Sequence, residues 1–85
     1  MTGPVLFSHQ ALLSRMATLF AQNLKALRLE RKLTQVQMAE LLFVDPSRIS
    51  RLENGEHPST HFIERLNKVF GANAFEWMNE PSPEE

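Results

Sequence analysis

No proline or glycine interrupts residues 5 to 45, and that absence constrains the fold more than any other feature of the sequence. With no backbone breaker in the first half of the chain, hydrophobic period and capping residues must set where each element begins and ends. Leu13, Ala17, Phe20, Leu24 and Leu27 recur at steps of 4, 3, 4 and 3, which places them on one face of a helix. With Ser8 as its N-cap, this helix is expected to run from about His9 to Arg31. Arg28, Arg31 and Lys32 then fall near its C-terminal end, where cations favour the helix dipole.

The chain restarts at Thr34. Thr34 and Gln37 have the spacing of a capping box, in which the threonine hydroxyl accepts from the Gln37 N–H and the glutamine reaches back. Met38, Leu41 and Leu42 are expected to face the core, and Phe43-Val44 forms a turn. Asp45-Pro46 opens the third helix, with proline at the first position, where a missing N–H costs nothing. Ile49 and Leu52 are its inward residues, and Asn54-Gly55 ends it with a glycine suited to a left-handed closure. After the loop Glu56-His57-Pro58, Ser59 or Thr60 caps a fourth helix carrying Phe62, Ile63, Leu66, Val69 and Phe70, which Gly71 closes. Asn73 and Glu76 have the spacing of a second capping box, opening a short fifth helix with Phe75, Trp77 and Met78. The core is expected to hold Leu24, Leu27, Met38, Leu41, Ile49, Leu52, Ile63 and Leu66. No segment reads as a strand.

Eighty-five residues with 42% apolar content make a single small domain. Three regions are expected: a helical arm over residues 1–18, a compact bundle over 19–79, and an acidic, proline-containing, disordered tail over 80–85. Leu12, Met16 and Leu19 form a second apolar line beside the main stripe of the first helix. A domain of this size cannot easily bury both lines alone, and the surplus points to a second copy of the chain as a partner, the alternative being an arm folded back over its own bundle. Phe75, Trp77 and Met78 offer a competing interface. There are no cysteines, so no disulfide framework, thiolate metal site or cysteine nucleophile is possible. The opening MTGPVLFSHQ lacks the basic and long apolar regions of a signal peptide, and no apolar run approaches the roughly 20 residues needed to span a bilayer. A cytoplasmic location without membrane association is therefore expected.

The chemistry lies between Thr34 and Gly55. A helix that enters the major groove of DNA needs small or polar residues on its leading turn and apolar anchors behind. Pro46, Ser47, Ser50 and Arg51 meet the first need, and Ile49 and Leu52 meet the second. Arginine donates two parallel hydrogen bonds to guanine O6 and N7, and serine bonds a base edge or a phosphate. The start of the preceding helix, at Thr34-Gln35, offers free N–H groups and a positive dipole end to a phosphate. Asp45 either caps its helix or accepts from cytosine N4. The alternative for Arg51 is a surface ion pair with Glu53 or Glu40. The net charge of −1 is low for a nucleic-acid binder, but Arg28, Arg31, Lys32, Arg48 and Arg51 gather in the middle of the chain, whereas Glu76, Glu80, Glu84 and Glu85 load the end.

Leu33 before Thr34-Gln35, then Ala39, Val44, Ile49-Ser50-Arg51 and Glu53-Asn54-Gly55, at this spacing, resemble the phage repressor and Cro class of helix-turn-helix domains, the XRE family. The resemblance runs from about Leu19 to Trp77. It implies an all-α, compact five-helix bundle of the lambda-repressor type, here with an N-terminal helical extension, binding double-stranded operator DNA as a homodimer. It further implies that Pro46, Ser47, Ser50 and Arg51 face bases, that Gln35 lies at the phosphate backbone and sometimes touches a base, and that Arg48 and Asn54 lie near the backbone. Phe43 departs from the pattern, since glycine is usual there. A non-glycine residue in the left-handed conformation costs about 1–2 kcal/mol, and burial of the phenyl ring is expected to offset that strain.

Two expectations follow for function. The first is a sequence-specific transcriptional regulator, most simply a repressor. The second is an antitoxin that grips a protein toxin and represses its own operon, for which the near-neutral charge and the apolar arm speak. An enzyme is not expected, because the chain has no catalytic grouping, no Gly-rich phosphate loop and no cofactor motif. His57 and His61 are separated by Pro58 and share no helical face, so no metal site is expected. His9 reads as a solvent residue.

Overall fold

The computed structural model describes residues 3–79, with side chains described from Gln10 onward. Helix α1 spans Gly3–Glu30, α2 Gln35–Leu42, α3 Pro46–Glu53 and α4 Thr60–Phe70, and a 3-10 helix, Ala74–Met78, follows. No strand occurs among the described residues. The fold is therefore all-helical as expected, with four α-helices rather than five.

The fifth element differs for a local reason. Asn73 makes no side-chain cap, so the capping box expected with Glu76 does not form. The Glu76 N–H bonds the Asn73 carbonyl at 3.1 Å, and the Asn79 N–H bonds the Glu76 carbonyl at 3.0 Å. These i to i+3 bonds wind the segment tightly. Asn67 Oδ1 instead takes the Ala74 N–H at 2.7 Å, tying the start of this turn to α4.

Helix α1 is longer than expected. It runs through Ser8 without a break, so Ser8 is an interior residue and not a cap. Pro4 sits in its first turn, where proline is compatible with a helix. From Gln10 to Met16 the side chains are exposed or half-buried, and the first buried one is Ala17. From there Leu19, Phe20, Ala21, Asn23 and Leu24 are all buried. Of the second apolar line, Leu19 is buried and Met16 half-buried, while Leu12 is 54% exposed. The tail over 80–85 lies outside the described residues.

The core gathers Phe20 and Leu24 of α1, Met38 and Leu42 of α2, Ile49 and Leu52 of α3, and Leu66 of α4, all fully buried. Each such side chain contributes about 1.5–3 kcal/mol by leaving water. Phe20 meets Phe62 edge-on at 6.4 Å and Trp77 at 5.5 Å between ring centres. The buried Asn23 donates its amide to the Leu19 carbonyl at 3.0 Å and the Trp77 carbonyl at 3.2 Å, joining α1 to the 3-10 helix. Leu41, expected inside, is 45% exposed, and Val69 of the α4 apolar set is 41% exposed. In α2 the buried stripe is Met38, Ala39 and Leu42, and Leu41 falls on its outer edge. In α4 the stripe is Phe62, Ile63 and Leu66, and Val69 lies beyond it.

Successive helices end in left-handed residues. At the end of α1, Lys32 has φ 59°, with its N–H on the Leu29 carbonyl and the Leu33 N–H on the Arg28 carbonyl, each at 3.0 Å. At the end of α2, Phe43 has φ 58° and ψ 43°, with Val44 N–H on Ala39 O at 3.0 Å and a longer bond from Phe43 N–H to Glu40 O at 3.4 Å. Both are Schellman closures, in which a 6-to-1 and a 5-to-2 bond satisfy the last carbonyls.

The conformation of Phe43 matches expectation, but its environment overturns the expected compensation. The ring is 80% exposed, so burial does not offset the backbone strain. What holds the turn is hydrogen bonding: the two closure bonds, and Arg65 of α4, whose Nη1 donates to the Leu42 carbonyl at 3.0 Å. Phe43→Gly should therefore remove strain without losing packing. It is expected to raise the unfolding free energy by about 1 kcal/mol, a gain of roughly 4–8 °C in Tm for a domain of this size. Urea and thermal denaturation followed by circular dichroism would measure it, and a loss of stability would show that the exposed ring is supported in some other way.

Candidate nucleic-acid interface

The segment between Thr34 and Gly55 is built on a buried charge cluster. Glu53, at the end of α3, receives Arg28 of α1 in a bidentate pair, Nε to Oε2 at 2.6 Å and Nη2 to Oε1 at 3.1 Å. The side chains are only 12% and 5% exposed. Arg28 Nη1 also donates to the Leu33 carbonyl at 3.0 Å, and Gln35 Nε2 donates to Glu53 Oε1 at 3.0 Å. One carboxylate thus fixes the end of α1, the start of α2 and the end of α3.

At the start of α2 the capping box forms as expected. Thr34 Oγ1 accepts from Gln37 N–H at 3.0 Å, and Gln37 Oε1 accepts from Thr34 N–H at 2.9 Å. The Met38 N–H returns to the Thr34 carbonyl. The N–H groups of Gln35 and Val36 remain outside this bonding, at the positive end of the helix dipole. The Gln35 side chain, by contrast, is half-buried and turned onto Glu53.

Asp45 sits at the N-cap of α3 in an extended conformation, φ −70° and ψ 139°, with Pro46 following. Its carboxylate makes no cap hydrogen bond, which corrects the expectation that it caps through its side chain. The carbonyl does that work, taking the Arg48 N–H at 2.8 Å. Proline at the next position supplies no N–H, so one of the usual orphan donors is missing. Asp45 itself is exposed.

Helix α3 divides cleanly. Ile49 and Leu52 are fully buried. Ser47 and Arg51 are exposed, and Pro46 and Ser50 are half-buried. Arg51 Nη1 donates to Ser47 Oγ at 3.2 Å, one turn back along the helix. Arg51 Nε donates to Glu56 Oε1 at 2.8 Å. The ion pair considered for Arg51 from sequence is therefore made, but with Glu56 in place of Glu53 or Glu40. Arg48 turns away from this face toward α4. Its guanidinium lies over the Phe62 ring at 5.6 Å, Nη2 donates to Ser59 Oγ at 3.2 Å, and Nε stands 3.8 Å from Glu56 Oε2. Asn54 folds its amide onto its own helix, donating to the Ser50 carbonyl at 2.7 Å.

Of the residues singled out from sequence, Pro46, Ser47, Ser50 and Arg51 share α3, and Thr34 and Gln35 mark the start of α2. Arg48 reaches toward α4, and Asn54 lies in the closing turn of α3. Sequence reasoning missed the roles of Arg28, Glu53 and Glu56. A signal existed for Glu56: Gly55 as a left-handed closure makes Glu56 the residue whose N–H returns to the Arg51 carbonyl. Nothing in the local sequence announces that Arg28 meets Glu53. His57 and His61 are both exposed.

Removing either partner of the Arg28–Glu53 pair leaves a charge in a mostly buried place. Arg28→Ala and Glu53→Ala are each expected to lower the unfolding free energy by about 3 kcal/mol. The double variant should lose less than the sum. Urea titration of the three variants measures both effects, and additive losses would mean the pair is not coupled.

Residues 19–76 match a family model described as a helix-turn-helix domain. No curated protein and no solved structure matches the chain.

Proposed function

Because the chain belongs to the helix-turn-helix domain family, of the phage repressor and Cro type, and is thereby a DNA-binding regulator by family, we propose that it is a sequence-specific transcriptional repressor acting as a homodimer. The observation that carries this reading is the division of α3. Ile49 and Leu52 lock one side into the core, and Ser47 and Arg51 stand exposed on the other, while the start of α2 is tied to the end of the same helix through Gln35 and Glu53. A helix supported in this way suits the major groove, with its polar side toward base edges and the α2 terminus on a phosphate.

In this proposal Arg51 reads a guanine, Ser47 and Ser50 approach neighbouring base edges, and Pro46 lets the start of α3 come close. The Gln35 and Val36 N–H groups take a phosphate, with Thr34 fixing their direction through the capping box. Arg48 and Asn54 contribute near the backbone, Arg48 after rotating out from Phe62. Two copies would present two α3 helices to half-sites about 34 Å apart on a near-palindromic operator. Leu12 on the arm and Phe75 on the 3-10 helix, 54% and 43% exposed, are the apolar residues offered for pairing.

One observation supports the antitoxin reading as a second possibility. Phe43 exposes most of its ring in a strained turn, and an exposed phenyl group of this kind suits a protein partner. That reading predicts a small toxin-like reading frame beside the gene.

Arg51→Ala is expected to cost about 1–3 kcal/mol in binding the preferred duplex and to relax preference at one base pair. Fluorescence anisotropy on the chain's own upstream DNA measures this, and a variant that binds every sequence as the parent does would remove Arg51 as a reader. For pairing, Leu12→Glu and Phe75→Glu separate the two surfaces. Sedimentation equilibrium should show dimer loss in one of them, and an unchanged dimer in both would place the interface elsewhere.

A further inference from the structure

We propose that Glu56 is a positioning residue that, together with Ser47, holds the Arg51 guanidinium end-on toward a guanine, so that the specificity of the site depends on a carboxylate that touches no DNA. The inference rests on the reading of Arg51 as a base contact and adds to it the device that aims the side chain.

The placement begins in the backbone. Gly55 closes α3 with φ 106°, a conformation that side-chain-bearing residues rarely adopt. The closure is a Schellman motif, with Gly55 N–H on Leu52 O at 3.2 Å and Glu56 N–H on Arg51 O at 3.0 Å. The second bond ties the Glu56 backbone to the residue its side chain engages. Glu56 therefore reaches Arg51 from a fixed point and not from a wandering loop.

The side-chain geometry then selects which donors stay available. A guanidinium carries five N–H groups in one plane. Glu56 takes the Nε hydrogen at 2.8 Å and Ser47 takes one Nη1 hydrogen at 3.2 Å. Nη2 has no hydrogen-bond partner among the described residues, and Nη1 keeps its second hydrogen. In the proposal Ser47 takes the Nη1 hydrogen on the Cδ side, which leaves the outer Nη1 hydrogen and Nη2 as a parallel pair of donors, the fork that matches guanine O6 and N7. With contacts at Nε and Nη1, the plane of the fork is set before DNA arrives, and less rotamer freedom is lost on binding.

Glu56 also faces Arg48, with Oε2 3.8 Å from Nε. One carboxylate between two guanidinium groups lowers the local positive charge. This is the opposite of what tight non-specific binding needs, since phosphate attraction grows with cation count. Glu56 therefore trades general affinity for selectivity, and the two effects separate experimentally.

The test uses the full chain and duplex DNA selected from a randomised pool by the parent protein. Binding is measured by anisotropy to the best duplex, to the same duplex with each G·C pair in turn replaced by A·T, and to an unrelated duplex. Glu56→Ala should bind the unrelated duplex as tightly as the parent or more tightly, and should lose roughly fivefold or more of its discrimination at one G·C pair, within the range a bidentate contact supplies. Glu56→Gln, whose amide oxygen can still accept from Nε, should recover part of that discrimination. Arg51→Ala should lose discrimination at the same pair. If Glu56→Ala tightens binding to the best and unrelated duplexes equally, the carboxylate merely competes with DNA and the proposal is overturned. If Arg51→Ala flattens the preference and Glu56→Ala leaves it intact, Arg51 reads the base unaided and only the positioning is refuted. If Arg51→Ala changes nothing, or the selection returns no preferred sequence, the base-reading assignment itself falls. Glu56 is exposed, so its variants should unfold at the parent's urea midpoint, apart from the small loss of a surface ion pair.

Discussion

The Glu53 carboxylate is the interaction on which the geometry of this domain depends. Helices α2 and α3 are eight residues each, too short to be stable or rigidly placed by their own backbone bonds. Their buried stripes fix which side faces inward but allow sliding and rotation about the core. The bidentate pair with Arg28 and the bond from Gln35 remove that freedom, because all of them converge on a carboxylate that is almost fully shielded from water. A buried pair of this kind contributes little net stability compared with an apolar replacement, but it is costly to break. Its effect here is orientation: the start of α2 and the whole of α3 are held in one relation, as a surface matched to a rigid duplex requires.

Closure of the helices supplies the remaining order. Lys32, Phe43 and Gly55 all take left-handed backbone conformations, and each turns the chain within a few residues. Only Gly55 does so without side-chain strain. At Phe43 the strain is met by hydrogen bonds to the α2 carbonyls and by Arg65, which also links the turn to α4. The short connections between α1, α2 and α3 are thus hydrogen-bonded turns, and the Gly55 closure holds Glu56 against the end of α3 in the same way.

Much of this was legible in the sequence where the signal is local. The Thr34 and Gln37 capping box, the Ser59 cap, the glycine closures and the inward positions Ile49 and Leu52 follow from spacing and side-chain chemistry, and they appear as read. Failures arose where a non-local term decided. Leu41 lies on an apolar face, but which edge of the stripe is covered depends on the neighbouring helices. Phe43 was expected to be buried because strain demanded compensation, and the compensation came from a hydrogen bond across 23 positions of sequence. Ser8 has the chemistry of a cap, yet α1 passes through it because nothing nearby ends the helix. At the interface, the identity of the outward residues could be read, but the partners of Arg51 and Arg48 depend on how the Gly55 turn returns Glu56 to the helix.

The central claim is that the exposed side of α3 and the first turn of α2 form a single DNA-contacting face. The most direct measurement is a titration of the isotopically labelled protein with its selected duplex, followed by backbone amide resonances. The largest shifts should fall on Gln35 and Val36 and on Ser47 to Arg51, with those of Glu64 and Lys68 on α4 nearly unmoved. Shifts centred on α4 or on the N-terminal arm, with α3 unaffected, would contradict the account.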